Sequence, residues 1–231
     1  MLIFGHRGAP LIKPENTIAS FEMALSQNVD GIELDIQLTS DGEIVVLHDF
    51  IIQDQSKIEL PVKDLSFNDI QTLYSKIKIP TLDEVCQMFP SDKILNIEIK
   101  SQSIHNTKII TKTVKTITKY GLHESSIISS FNPFVLLTIK KLNPRIKIGL
   151  LWSQSSTTPW FVTHYSANQL EPYSFHASIH YINDKIANWV IKNNMKLFFY
   201  TINTASELNK AKQFNADGIF SDYPNILNTK I

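Results

Sequence analysis

The chain has 231 residues, 43% hydrophobic and 19% charged, an ordinary globular balance that supplies one large core and excludes disorder as the default state. Its 22 basic residues are cancelled by 22 acidic ones, so no net field draws the molecule to nucleic acid or to an anionic membrane, and a small-molecule partner is expected. Cys86 is the only cysteine, which excludes an intramolecular disulfide and fits a reducing compartment.

The start, "MLIFGHRG", reaches His6 and Arg7 too early to leave room for the apolar segment of a secretory signal. No run approaches the roughly 20 apolar residues of a membrane span. The expectation is a soluble cytoplasmic protein without stable membrane insertion.

Short β-branched or aromatic runs alternate with stretches of helical period. "LIFGH" (2–6), "NTIASFEMALSQN" (16–28) and "GIELDIQL" (31–38) read as strand, helix, strand. A hairpin follows around Asp41-Gly42, with "EIVVLHD" (43–49) as its second arm. Residues 50–80, polar and mixed, read as an inserted cap within one domain spanning 1–231. "TLDEVCQMF" is helix-like, which makes Cys86 a buried structural thiol. Beyond it come strand-like "KILNIEIK" (93–100), "SSIISSF" (125–131), "RIKIGLLW" (145–152), "FHASIHY" (175–181), "KLFFYTI" (196–202) and "DGIFSD" (217–222), most of them separated by helix-like segments. The stretch after residue 152 is only weakly patterned. With the hairpin set aside there are eight strands, which point to an α/β fold closed as a (β/α)8 barrel, a TIM barrel; a doubly wound open sheet is the competing arrangement.

Residues two apart on a strand share a face. "GIELDIQL" therefore separates Ile32, Leu34 and Ile36 from Glu33, Asp35 and Gln37, and "LNIEIK" separates Leu95, Ile97 and Ile99 from Asn96, Glu98 and Lys100. In a barrel the apolar sets face the surrounding helices, and Glu33, Asp35, Glu98 and Lys100 face the axis. Buried carboxylates must be paired or on a metal. Three of them without a thiolate or a paired-histidine spacing suit a hard cation, Mg²⁺ or Ca²⁺ before Zn²⁺. Arg7 and Lys100 then supply cationic groups for an anionic, phosphate-bearing substrate. His6 and His48 close two strands and suit the two halves of acid–base catalysis. His105, His123 and His164 read as solvated or capping, while His176 and His180 alternate with apolar residues in a pattern that points them at the barrel mouth.

"HRG" (6–8), "PENT" (14–17), "ELDIQLTSDGEIVVLHD" (33–49), "IEIK" (97–100) and "GIFSDYP" (218–224) together resemble the glycerophosphodiester phosphodiesterases, metal-dependent (β/α)8 barrels related to the phosphatidylinositol-specific phospholipases C. The resemblance runs from the first strand to the last. It implies hydrolysis of a glycerophosphodiester to sn-glycerol 3-phosphate and an alcohol. It puts the catalytic histidines at His6 and His48, the ligands of a divalent cation at Glu33, Asp35 and Glu98, and phosphate contacts at Arg7 and Lys100, with Glu15 beside them. On this reading Gly5 and Gly8 let the backbone approach a ligand. The chain departs from the family after His48-Asp49, where "FIIQDQSKIELPV" replaces an Arg-Thr-Gly-rich turn, and the cap is short. Tyr200 stands where the seventh strand usually carries a tryptophan, which keeps an aromatic wall. Two alternatives stay open: a lipid substrate cleaved by the same chemistry, with "TTPWF" (157–161) as an apolar lip, and a silent phosphodiester-binding barrel, which would be expected to lack one of the ligands or histidines present here.

Overall fold

The computed structural model describes residues 1–101, 107–154 and 158–227. β1 (Leu2–Gly5) leads by a long turn into α1 (Ile18–Leu25), β2 (Gly31–Leu38) and β3 (Ile44–Val46). The cap segment holds a small hairpin, β4 (Ile51–Gln53) and β5 (Glu59–Pro61), followed by α2 (Phe67–Leu73) and α3 (Leu82–Met88). The remainder alternates: β6 (Ile94–Ile99), α4 (Thr107–Lys119), β7 (Ser126–Ser130), α5 (Pro133–Leu142), β8 (Lys147–Trp152), α6 (Trp160–Leu170), β9 (Ser174–Ser178), α7 (Asp184–Lys192), β10 (Lys196–Tyr200), α8 (Ala205–Gln213) and β11 (Gly218–Ser221).

Eight of these strands are parallel neighbours in the order β1-β11-β10-β9-β8-β7-β6-β2, and β1 also pairs with β2, Phe4 opposite Gly31, which closes the ring. The structure is a (β/α)8 barrel. β3 hangs from β2 as an antiparallel arm, Ile36 opposite Val46. Helix starts follow local chemistry: Thr81 and Glu84, like Thr204 and Glu207, form reciprocal capping boxes that satisfy free N–H groups at the first turns of α3 and α8. The Asn132 side chain caps α5, whose first residue is Pro133. α6 escapes the sequence pattern because its buried side, Thr163, Ala167 and Leu170, is partly small and polar.

The two faces of each strand divide as the alternation requires. Ile32, Leu34, Ile36, Leu95, Ile97 and Ile99 join the outer core against the helices, together with Phe21, Val85 and Cys86. Burial pushes the Cys86 thiol up to about 12, so it stays protonated and inert. Inside, Phe4, Ile127, Phe198 and Phe220 plug one end of the barrel, and the His176 ring stacks on Phe198 with centroids 5.1 Å apart. The cap has an apolar cluster of its own, in which Ile52, Val62, Ile70 and Ile79 pack on Val45 and Leu47. Among the described residues no helix is long and apolar enough to cross a membrane.

Candidate active site

The loop after β1 sets the first two functional side chains. Arg7 and Gly8 both have positive φ, 55° and 91°, and the turn is clamped onto α1: Ser20 Oγ accepts from Ala9 N (2.8 Å) and donates to Arg7 O (3.0 Å). A Cβ on Gly8 would lie 2.4 Å from Ser20 Oγ, and one on Gly5 would lie 2.8 Å from the Ala24 Cβ. The two glycines therefore serve the packing of the turn on α1. This packing role stands beside the ligand-approach role that the resemblance implies for them.

The Arg7 amide donates to Glu33 Oε2 (2.9 Å), tying the turn to β2. Its guanidinium bridges two carboxylates, with Nη1 2.9 Å from Glu15 Oε1 and Nε 3.4 Å from Asp35 Oδ2. Glu15 thus sits beside the site as an anchor for Arg7 through Oε1, with its side chain 46% exposed. Lys100 Nζ lies 3.2 Å from Glu98 Oε1 and 3.8 Å from Asp35 Oδ1. Burial disfavours the Lys100 charge, but Glu98 and Asp35 outweigh it and raise its pKa.

Because Asp35 lies opposite Glu98 across the β2–β6 pairing, one oxygen from each of Glu33, Asp35 and Glu98 can be chosen so that all lie within 4.8 Å of one another. Burial first, and then the Asp35 charge, push Glu33 up to about 8 and Glu98 up to about 7. Three acceptor-only groups crowded to the point of mutual repulsion, without sulfur or imidazole among them, fit a hard divalent cation. Asn16 holds Asp35 from behind: its Nδ2 donates to Asp35 Oδ2 (3.0 Å) and its Oδ1 accepts from the Asp35 amide (3.3 Å).

His6 Nδ1 is 2.6 Å from Asp222 Oδ1, and Nε2 is 4.0 Å from Glu33 Oε2. Burial works against the imidazolium, but the Asp222 hydrogen bond and the Glu33 charge prevail, and the His6 pKa is raised. Asp222 is itself oriented by Asn203, which donates to its Oδ2 (2.7 Å) and accepts from its amide (2.9 Å). His48 Nδ1 is 2.8 Å from Asp49 Oδ1. Its loop is stapled by Gln37, whose Nε2 donates to the carbonyls of Leu47 (2.9 Å) and Asp49 (2.7 Å).

These side chains open onto one cleft of about 290 Å³, lined by His6, Arg7, Glu33, His48, Glu98, Lys100 and Tyr200 among others. Tyr200 contributes its ring as a wall, while its hydroxyl donates to Trp152 O (2.9 Å). Of the remaining histidines, His176 lies at the floor of this cleft, fully buried, with its pKa pushed down to about 3 by burial. His180 turns outward, 3.7 Å from Glu207, and so does not join it. The exposed His164 lies against Trp189 with ring centroids 5.0 Å apart, an aromatic setting where a polar one was expected. His123 is a partly exposed neighbour of Glu124, and His105 lies outside the described residues. Asp222, Asn16, Asn203 and Gln37 are the functional neighbours that residue-by-residue reading missed. Asp222 lies inside "GIFSDYP", Asn16 inside "PENT" and Gln37 on the β2 face shared with Glu33 and Asp35, whereas Asn203 carried no signal.

A parallel barrel with paired histidines, a carboxylate triad and two cations at one mouth defines a phosphate-handling barrel hydrolase. The glycerophosphoryl diester phosphodiesterase family model matches residues 6–226, and the chain belongs to that family of enzymes. It is 38% identical to a glycerophosphodiester phosphodiesterase of Caldanaerobacter subterraneus subsp. tengcongensis, over 98% of this chain and 96% of that one. Among solved structures it resembles a putative glycerophosphoryl diester phosphodiesterase from Silicibacter pomeroyi, with TM-score 0.86, 18% identity and 97% and 91% of the two chains covered. It also resembles an Oleispira antarctica phosphodiesterase in complex with the product sn-glycerol-3-phosphate, with TM-score 0.85, 24% identity and 99% and 96% covered.

Proposed function

We propose that the chain hydrolyses glycerophosphodiesters to sn-glycerol 3-phosphate and a free alcohol. The observation that carries this is the convergence of His6, His48, Glu33, Glu98, Arg7 and Lys100 on one cleft, and it is supported by family membership and by the product named in the Oleispira antarctica complex. Glu33, Asp35 and Glu98 would hold a divalent cation, Mg²⁺ or Ca²⁺. Bound there, it supplies Lewis-acid neutralisation of phosphoryl charge.

Arg7 and Lys100 bind the non-bridging oxygens and orient the diester, and Glu15 acts on the substrate through Arg7. A water molecule, or the glycerol 2-hydroxyl by way of a cyclic phosphate, adds to phosphorus as the P–O bond to the alcohol breaks. One imidazole takes the proton of the attacking oxygen and the other gives a proton to the departing one. Asp222 keeps His6 in a single tautomer, and Tyr200 walls the cleft. The reaction is assigned to the cytoplasm, on small substrates rather than nucleic acid, in recycling the products of lipid breakdown. Normal growth of a deletion strain on glycerophosphodiesters as sole phosphorus source would contradict that role. His6→Ala and His48→Ala should each lower turnover at least about a hundredfold with an unchanged melting curve; wild-type turnover in either one overturns the assignment.

One observation favours a second reading, a lysophospholipid substrate. Leu11, Ile12, Phe50, Ile51 and Phe161 are exposed, on the loops after β1 and β3, at the start of β4 and at the start of α6. Trp160 is not part of that lip, because it packs edge-on against Trp152 and Trp189. Turnover of a lysophospholipid dispersion at least equal to that of glycerophosphoethanolamine would establish this reading, and its absence would remove it.

A further inference from the structure

Lys100 has an aromatic neighbour besides its two carboxylates. Its Nζ lies over the Phe50 ring, 5.5 Å from the centroid, inside the roughly 6 Å within which a ring quadrupole attracts a cation. The Lys100 side chain is only 10% exposed, so water competes weakly for the ammonium and the attraction is stronger than at an open surface. Lys100 and His48 line the catalytic cleft, whereas Phe50 is not among the residues that do. The ring can reach the chemistry only through Lys100.

Its backbone is fixed on both sides. The Asp49 carbonyl accepts from Gln37 Nε2 (2.7 Å), which ties this turn to β2. The Phe50 carbonyl accepts from the Val62 amide (2.9 Å), which ties it to the cap. Phe50 thus stands at the joint of cap and barrel, two residues after His48. It opens "FIIQDQSKIELPV", the segment in which the chain departs from the family pattern, so the resemblance gives this position no role.

The other neighbours of the ammonium are Glu98 Oε1 at 3.2 Å and Asp35 Oδ1 at 3.8 Å. Both carboxylates belong to the triad suited to a divalent cation, so in loaded protein they are shared with a second, stronger positive charge. A ring face is a different kind of partner. It carries no net charge, so it attracts the ammonium without neutralising it and without repelling an incoming phosphate. We propose that Phe50 is a positioning residue for Lys100, a ring carried by the cap that holds the ammonium ready for phosphate oxygens when Glu98 and Asp35 are engaged by the cation. This deepens the hydrolase reading above and rests on it.

The test is calorimetric binding of sn-glycerol 3-phosphate to Mg²⁺-loaded protein, beside kcat and KM for glycerophosphoethanolamine and thermal melts. The variants are Phe50→Leu, Phe50→Met, Phe50→Tyr, Lys100→Met and Phe50→Leu combined with Lys100→Met. Loss of the ring in Phe50→Leu and Phe50→Met should raise Kd and KM about three- to tenfold, the size of one partly desolvated cation–π contact. kcat should stay within about twofold, because a grip on the phosphate serves ground state and transition state alike. Phe50→Tyr, which keeps the ring, should match wild type, and Phe50→Leu should have no further effect once Lys100 is methionine. Wild-type Kd and KM in both ring-less variants, a Phe50→Tyr no better than Phe50→Leu, or an equal loss with and without Lys100 overturns the positioning role while the hydrolase reading stands. A wild type that neither binds sn-glycerol 3-phosphate nor releases it from the ester overturns that reading and the positioning role with it.

Discussion

Asp222→Asn isolates a contact of the proposed catalytic His6 that spans almost the whole chain, from His6 to residue 222. The native pair is 2.6 Å apart, with the His6 side chain 18% exposed and that of Asp222 25% exposed. A charge-assisted hydrogen bond of this kind contributes about 1.5–3 kcal/mol, which is roughly one to two pH units; the partial exposure puts this pair near one unit. The direction follows from the pKa shifts. His6 is raised by Asp222 and Asp222 is lowered by His6, so loss of the carboxylate charge must lower the His6 pKa. Whichever limb of the pH–rate profile belongs to His6 therefore moves toward acid by about one unit, and kcat falls about 10- to 100-fold as the ring loses its fixed tautomer. The assay is the profile of kcat/KM from pH 5 to 9 at saturating metal, beside the wild type. Unshifted limbs with turnover within twofold of wild type would refute the orienting role.

Other outcomes follow from the same geometry. In metal-free protein Glu33 and Glu98 hold protons more tightly folded than unfolded, so stability falls as pH rises from the ordinary carboxylate range through about 7 and 8. Calorimetry of EDTA-stripped protein should show that fall, and Mg²⁺ or Ca²⁺ should restore more at pH 8 than at pH 5; equal restoration at both would contradict the crowded triad. Glu98→Gln should raise the cation concentration needed for half-maximal activity at least about tenfold, read from metal titrations. Arg7→Lys should cost at least about tenfold in kcat/KM, because an ammonium cannot span Glu15, Asp35 and a phosphate together. Gly8→Ala, which sets a Cβ 2.4 Å from Ser20 Oγ at φ 91°, should cost about 2–4 kcal/mol, seen as a fall in Tm of roughly 5–15 °C.

Much of this site is legible before any coordinates because strand alternation is a local property. Glu33, Asp35 and Glu98 must share a face opposite Ile32, Leu34 and Ile97, and only barrel closure is needed to aim that face at the axis. What escapes the sequence is set by contacts between distant segments. Asp222 reaches His6 only because β11 lies beside β1, and Asn16 reaches Asp35 only because the first loop folds back over β2. The glycines of "GHRG" read as ligand-approach residues, and their further role of packing the turn on Ala24 and Ser20 of α1 is visible only in the fold. α2 lay hidden in the irregular cap, although its Ser66–Asp69 capping box is written in the chain. His176 alternates as a mouth residue would, and it does line the cleft, but fully buried, with Ser174 Oγ 2.7 Å from its Nε2 and the Phe198 ring stacked on it.

The central claim is metal-assisted phosphodiester hydrolysis at this cleft. Its most direct test is release of sn-glycerol 3-phosphate from glycerophosphoethanolamine by EDTA-stripped protein, with Mg²⁺, Ca²⁺ or no metal returned. The account predicts release that depends on the added cation and is lost in Glu33→Gln. Equal release without metal, or none with either cation from folded protein, would contradict it.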